Sequence, residues 1–132
     1  MYRDIIVDEM RKTALILAKL LGIKANNNAV EFKQEFDKTL IREYNIELEA
    51  LLALNEEDFE KLIQSAKYTS EQLNALSQML YLFAEPFDSN EETRLLLKKV
   101  MSIFEVLETI YHYQSFDNIT KRKAIYKYFN IT

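Results

Sequence analysis

Apolar residues along this chain recur at steps of three and four. Near the start Ile6, Met10, Ala14, Leu17 and Leu21 do so, and such spacing gathers side chains into one stripe of an α-helix. Gly22 follows where a left-handed C-cap belongs. The stretch KANNNA then reads as a loop, because Asn tolerates left-handed backbone and caps helices well. Asn28 and Glu31 have capping-box spacing and open a second helix with the stripe Phe32, Phe36, Leu40 and Tyr44. ELEALLAL predicts a short third helix. Asn55 stands as the cap of a fourth, EEDFEKLIQSA, whose first-turn acids Glu56, Glu57 and Asp58 suit the positive end of the helix dipole. Phe59, Leu62, Ile63 and Ala66 form its inward side.

Thr69 and Gln72 make another capping box, and the fifth helix runs through Leu73, Leu76, Leu80 and Phe83 to a stop near Pro86. Ser89 and Glu92 open the sixth, expected to be the longest, with the stripe Leu97, Val100, Phe104, Leu107 and Tyr111 widened by Ile103 and Ile110. A last helix spans roughly 117–130, packing through Ala124, Ile125, Tyr128 and Phe129. The pattern therefore predicts an all-α fold of about seven helices with no strand, in which helices 1–2 and 6–7 form antiparallel hairpins. Its 132 residues suit one domain, 1–132.

Composition narrows the chemistry. The chain has one Gly and one Pro, too few for a glycine-rich phosphate loop, and it has no Cys for a disulfide, a thiolate nucleophile or a thiolate zinc site. The start MYRDIIVDEMRK carries early acids, and Lys19 interrupts the apolar run TALILAKLLGI, which is also too short to span a bilayer. A cytoplasmic protein without membrane association is expected. The net charge of −4 is uneven: residues 1–54 carry −1, residues 55–92 carry −7 and residues 93–132 carry +4. An acidic middle and a basic tail can attract each other within the fold or mark a partner surface.

The segments YRDIIVDEMRKTALILAKLLGIK, LLALNEEDFEKLI and LNALSQMLYLFAE resemble small bacterial proteins with a tetratricopeptide-repeat-like helical fold, a domain of unknown function. The resemblance implies paired helices and carries no catalytic residue. If Leu107 and Tyr111 take first-helix positions of a repeat, small residues belong at Glu108, Thr120, Ala124 and Lys127, and only Ala124 fits. A degenerate, repeat-like hairpin array is the expectation.

Three groups invite a functional reading. His112, the only histidine, follows Glu105 and Glu108 at helical spacing, a set able to touch a metal or a proton. With no second imidazole, His112 reads as solvent-facing and Ser115, three residues on, as a helix cap rather than a nucleophile. The acids of NEEDFE lack the glycine-containing loop of a calcium site. The basic run Lys121, Arg122 and Lys123, with Tyr126 and Lys127, is the candidate partner surface, although Asp117 is placed to pair with Lys121. Eight Tyr and eight Phe supply the core, with Tyr2, Tyr68, Tyr113 and Tyr126 expected near the surface, where aromatic side chains anchor partners. The reading is a non-enzymatic module for protein–protein interaction or self-association, with no metal and no cofactor. The alternative is a small-ligand or regulatory domain with a Phe/Tyr-lined pocket between hairpins, and nucleic-acid association through the last helix is the least favoured.

Overall fold

The structure is a computed structural model that describes the backbone of residues 2–130 and the side chains of residues 10–130. Among the described residues it contains seven α-helices and no strand, as the periodicity predicts. The helices are α1 (Tyr2–Ala25), α2 (Ala29–Tyr44), α3 (Leu48–Ala53), α4 (Glu56–Ser65), α5 (Ser70–Ala84), α6 (Glu91–Thr109) and α7 (Phe116–Tyr128). They form two compact units, one ending at Asn55 and the other beginning at Glu56. No described helix is long and apolar enough to cross a membrane.

In the first unit α1 and α2 run antiparallel, as their cross-helix contacts show. Lys12 pairs with Glu43 at 2.7 Å, Lys19 with Glu35 at 3.1 Å, and the Lys24 ammonium lies 5.2 Å from the centre of the Phe32 ring. Burial raises the Glu43 carboxyl, but hydrogen bonds from Lys12 and Arg42 outweigh it and hold the group below its ordinary value. The α2 stripe of Phe32, Phe36, Leu40 and Tyr44 is buried as expected.

The expected face of α1 is not the buried one. Leu20 is buried and Leu17 half-buried, whereas Met10 and Leu21 are 52% and 58% exposed and Ala14 is also exposed. Apolar residues surround much of α1, so the period alone allows neighbouring faces. Lys12 and Lys19, pinned to α2 by their glutamates, select the face that carries Leu20. Tyr2 and Ile6 lie outside the residues whose side chains are described.

The second unit is built around α6. Ten of its 19 residues are buried, among them Leu97, Val100, Ile103, Phe104 and Leu107, which is more than the single stripe of a surface helix. The helix packs most extensively on α5 and also meets α4 and α7. Phe59 and Ile63 of α4 and Leu73, Leu76 and Leu80 of α5 are buried as predicted, while Leu62 and Phe83 are half-buried and Ala66 is exposed. Contacts between α5 and α7 climb both helices together. Asn118 Nδ2 donates to Asn74 Oδ1 at 2.8 Å, Gln78 Nε2 donates to Asn118 Oδ1 at 2.9 Å, and the Lys121 ammonium lies 5.2 Å from the Tyr81 ring centre. The two helices therefore run in the same direction.

Caps set the helix starts. Thr69 and Gln72 form a reciprocal box, and Asn28 accepts from the Glu31 amide at 3.1 Å. Ser115 accepts from the Asn118 amide at 3.1 Å, confirming its capping role. For α6 the cap is Asn90, which accepts from the Thr93 amide at 2.8 Å, rather than Ser89. Both residues are good caps and they are adjacent, so spacing alone did not separate them.

The helix ends differ more from expectation. Gly22 closes nothing: α1 runs past it to Ala25 and so exceeds α6 in length, and a Cβ at Gly22 would meet no atom within 4 Å. Instead, every helix except α3 is followed within three residues by a non-glycine residue in the left-handed region, namely Asn27, Asn45, Lys67, Phe87, His112 and Asn130. Asn adopts this conformation readily, whereas Lys, Phe and His do so against the contact between Cβ and the following carbonyl. His112 has φ 54° and is exposed, and the next amide, that of Tyr113, donates to the Leu107 carbonyl at 2.8 Å to close the turn. The chain's only imidazole therefore sits where backbone geometry favours glycine. Replacing His112 by Gly is expected to stabilise the protein by about 0.5–1 kcal/mol, measured by urea unfolding. A loss of stability would show that the imidazole has a structural partner.

Candidate functional site

The edge of α6 that faces α7 carries Lys98, Met101, the buried Ser102, Glu105 and Glu108 at steps of three, one, three and three. These residues face Arg122, Ile125, Tyr126 and Phe129 from α7 and its C-cap, with Glu56 of α4 at the rim. The cavity between them has a volume of about 580 Å³, within the range of small-ligand sites. It lies along the α6–α7 pair, with Tyr126 and Phe129 as its aromatic wall, Met101 and Ile125 as apolar lining, and charge of both signs around them.

Arg122 is the hinge of this geometry. Its guanidinium lies 5.8 Å from the Phe104 ring centre, and Nη2 contacts Glu108 Oε1 at 2.6 Å. The side chains of Arg122 and Glu108 are 22% and 29% exposed, so this pair is half-buried. Lys121 contacts Asp117 Oδ2 at 2.7 Å, as its spacing predicts. Lys123 and Lys127 are exposed on the outer side of α7. The predicted surface of Lys121, Arg122, Lys123, Tyr126 and Lys127 is therefore divided: Arg122 and Tyr126 line the groove, Lys121 packs on α5, and the other two face away. Lys121 and Arg122 pair with acids of the tail itself, Asp117 and Glu108, whereas Arg94 pairs with Glu91 of the 55–92 segment.

Glu105, Glu108 and His112, which helical spacing alone would align, do not assemble, and His112 is exposed as expected. Helix α6 ends at Thr109, before His112, and Glu108 is engaged by Arg122. Glu105 instead joins Glu56 and Glu60 of α4, with one carboxylate oxygen from each within 4.8 Å of the others. The NEEDFE acids thus separate by role: Glu57 pairs with Lys61 at 3.2 Å, whereas Glu56 and Glu60, one turn apart, meet the groove edge of α6. Hard cations favour such oxygens, and without one the ionised carboxylates repel. Lys99, buried with its ammonium 5.2 Å from the Phe59 ring centre, is lowered by that burial and raised in part by the charge of Glu56. The sequence reading did not find Met101, Ser102 and Lys98. Their signal was a polar edge at helical spacing on the flank of the α6 stripe. Phe116, 90% exposed at the first turn of α7, also departs from the expected core role of Phe.

Compared with known proteins, the chain matches no family model, no curated protein and no solved structure.

Burial, with added repulsion from Glu105 and Glu56, raises the Glu60 carboxyl above 4.5. A carboxyl raised by folding favours the folded state below its unfolded pKa, and that contribution is lost as pH rises through the folded value. Glu60→Gln is therefore expected to raise stability at pH 7 by about 0.3–0.5 kcal/mol, the scale of a like-charge pair one helical turn apart. The gain should vanish near pH 4, where both side chains are neutral. An equal gain at both pH values in chemical denaturation would assign it to packing instead.

Proposed function

We propose that this chain is a non-enzymatic binding module whose binding site is the groove between α6 and α7. The observation that carries the reading is the cavity of about 580 Å³, with Met101, Ile125, Tyr126 and Phe129 against charged side chains at its rim. Apolar lining with a few convergent polar groups is the usual make-up of a small-molecule site. Of the two kinds of occupant left open by the sequence, a small amphipathic molecule fits this groove better than a flat protein surface does. The protein-docking reading leaned on the basic face of α7, and two of its four cations, Lys121 and Arg122, form ion pairs within the unit. The same pairing leaves little of that face for a nucleic-acid backbone, whose binding strength grows with the number of free cations offered.

The test uses a neutral amphipathic probe. Titration of the isotopically labelled full chain with octanol should give saturable chemical-shift changes centred on Met101, Ile125, Tyr126 and Phe129. Met101→Trp, which puts an indole into the groove from a partly exposed position, should weaken binding by about tenfold or more, a loss of about 1.4 kcal/mol. Shifts that never saturate, or that spread over both units, would end the reading.

A further inference from the structure

We infer that the groove prefers an amphipathic organic cation, an apolar chain carrying an ammonium or guanidinium head, to an anion or a neutral molecule of the same length. The inference rests on the groove being the binding site, and it follows from how charge is spent around the cavity. Three glutamates and two bases line it. Arg122 Nη2 pairs with Glu108 Oε1 at 2.6 Å, and Arg122 Nε is buried without a hydrogen-bond partner. Lys98 is exposed, and its charge also acts on Glu91, one of the first-turn acids of α6. What remains at one end is Glu56 and Glu105, with Glu60 close behind them.

The groups that face this end are known. From α6 the buried Lys99 offsets part of the Glu56 charge, but its ammonium lies against Phe59 in the α4–α6 contact rather than among the lining residues. Burial raises the Glu60 carboxyl first, and the charges of Glu105 and Glu56, each with a carboxylate oxygen within 4.8 Å of one on Glu60, raise it further. A cationic head placed beside Glu56 and Glu105 would relieve that repulsion. Its alkyl or aryl body would lie along Met101 and Ile125, in a cavity that Tyr126 and Phe129 also line. An anionic head would meet two carboxylates there, and the Arg122 guanidinium already has Glu108 as its counter-charge.

Three probes with the same chain separate the possibilities: octylammonium, octanol and octanoate, titrated at pH 7 and low salt into the full-length protein. Octylammonium should bind about five- to tenfold more tightly than octanol, and octanoate more weakly than octanol, as expected for one or two rim ion pairs. In the double variant Glu56→Gln, Glu105→Gln the advantage of octylammonium over octanol should shrink to within about twofold, the rim attraction being gone, while the circular dichroism spectrum stays as in the parent. If the three probes bind alike, or octanoate binds best, the charge preference is overturned and the groove reading stands. If the preference survives in the double variant, the glutamates are not its source and the inference fails. If none of the three binds, both readings fall.

Discussion

The guanidinium of Arg122 rests on the Phe104 ring of α6 and contacts Glu108 one turn further along the same helix. That contact helps to fix the seat of α7, alongside hydrophobic burial. Ile125 is the only apolar side chain of α7 that is fully buried, and one such residue contributes roughly 1.5–3 kcal/mol on transfer from water. The remaining attachments are polar or aromatic. Asn118 bonds to Asn74 and Gln78, Lys121 lies over Tyr81, and the Tyr128 hydroxyl donates to the Asp88 carbonyl at 2.9 Å. Polar contacts are directional, so they fix the register of α7 where a featureless apolar stripe would let it slide.

That arrangement gives α6 two distinct sides. One is apolar and buried through Leu97, Val100, Phe104 and Leu107; the other is mixed, with Met101 and Ser102 between charged residues. Because Arg122 holds α7 at the end of α6 that carries Glu108, the space nearer Lys98 and Glu105 is left as the groove. The same contact decides the electrostatics. It removes one glutamate and one base from play and leaves Glu56 and Glu105 to set the sign of the rim. The fold and the proposed binding preference therefore share one placement.

Much of the fold was legible because each signal was local. The boxes at Thr69 and Gln72, the Ser115 cap and the stripe from Phe32 to Tyr44 depend on residues three or four apart, and neighbours that close are fixed by the helix itself. The buried face of α1 was not legible, since Leu17, Leu20 and Leu21 offer competing stripes and the choice between them lies in Glu35 and Glu43 on another helix. The helix ends were misread for a related reason. Gly22 looked like a cap, yet loop geometry assigned the left-handed position to Asn27.

The site was only half visible. Tyr126 and Arg122 were singled out, but as parts of an outward basic face, because a run such as KRK does not reveal which of its cations a neighbouring helix will claim. Arg122 needed Glu108, fourteen residues away, to turn it inward. Lys121 needed only Asp117, at helical spacing, and that pair was foreseen. Contacts set by the period of one helix can be read from a chain met alone, and those set by how two helices cross cannot.

The most direct measurement is a double-mutant cycle on urea stability with Arg122→Ala, Glu108→Ala and the two combined. Seating of α7 through this pair predicts a favourable coupling of about 1 kcal/mol or more, above the median for exposed pairs because both side chains are half-buried. A coupling within about 0.3 kcal/mol of zero, with each single variant as stable as the parent, would contradict it.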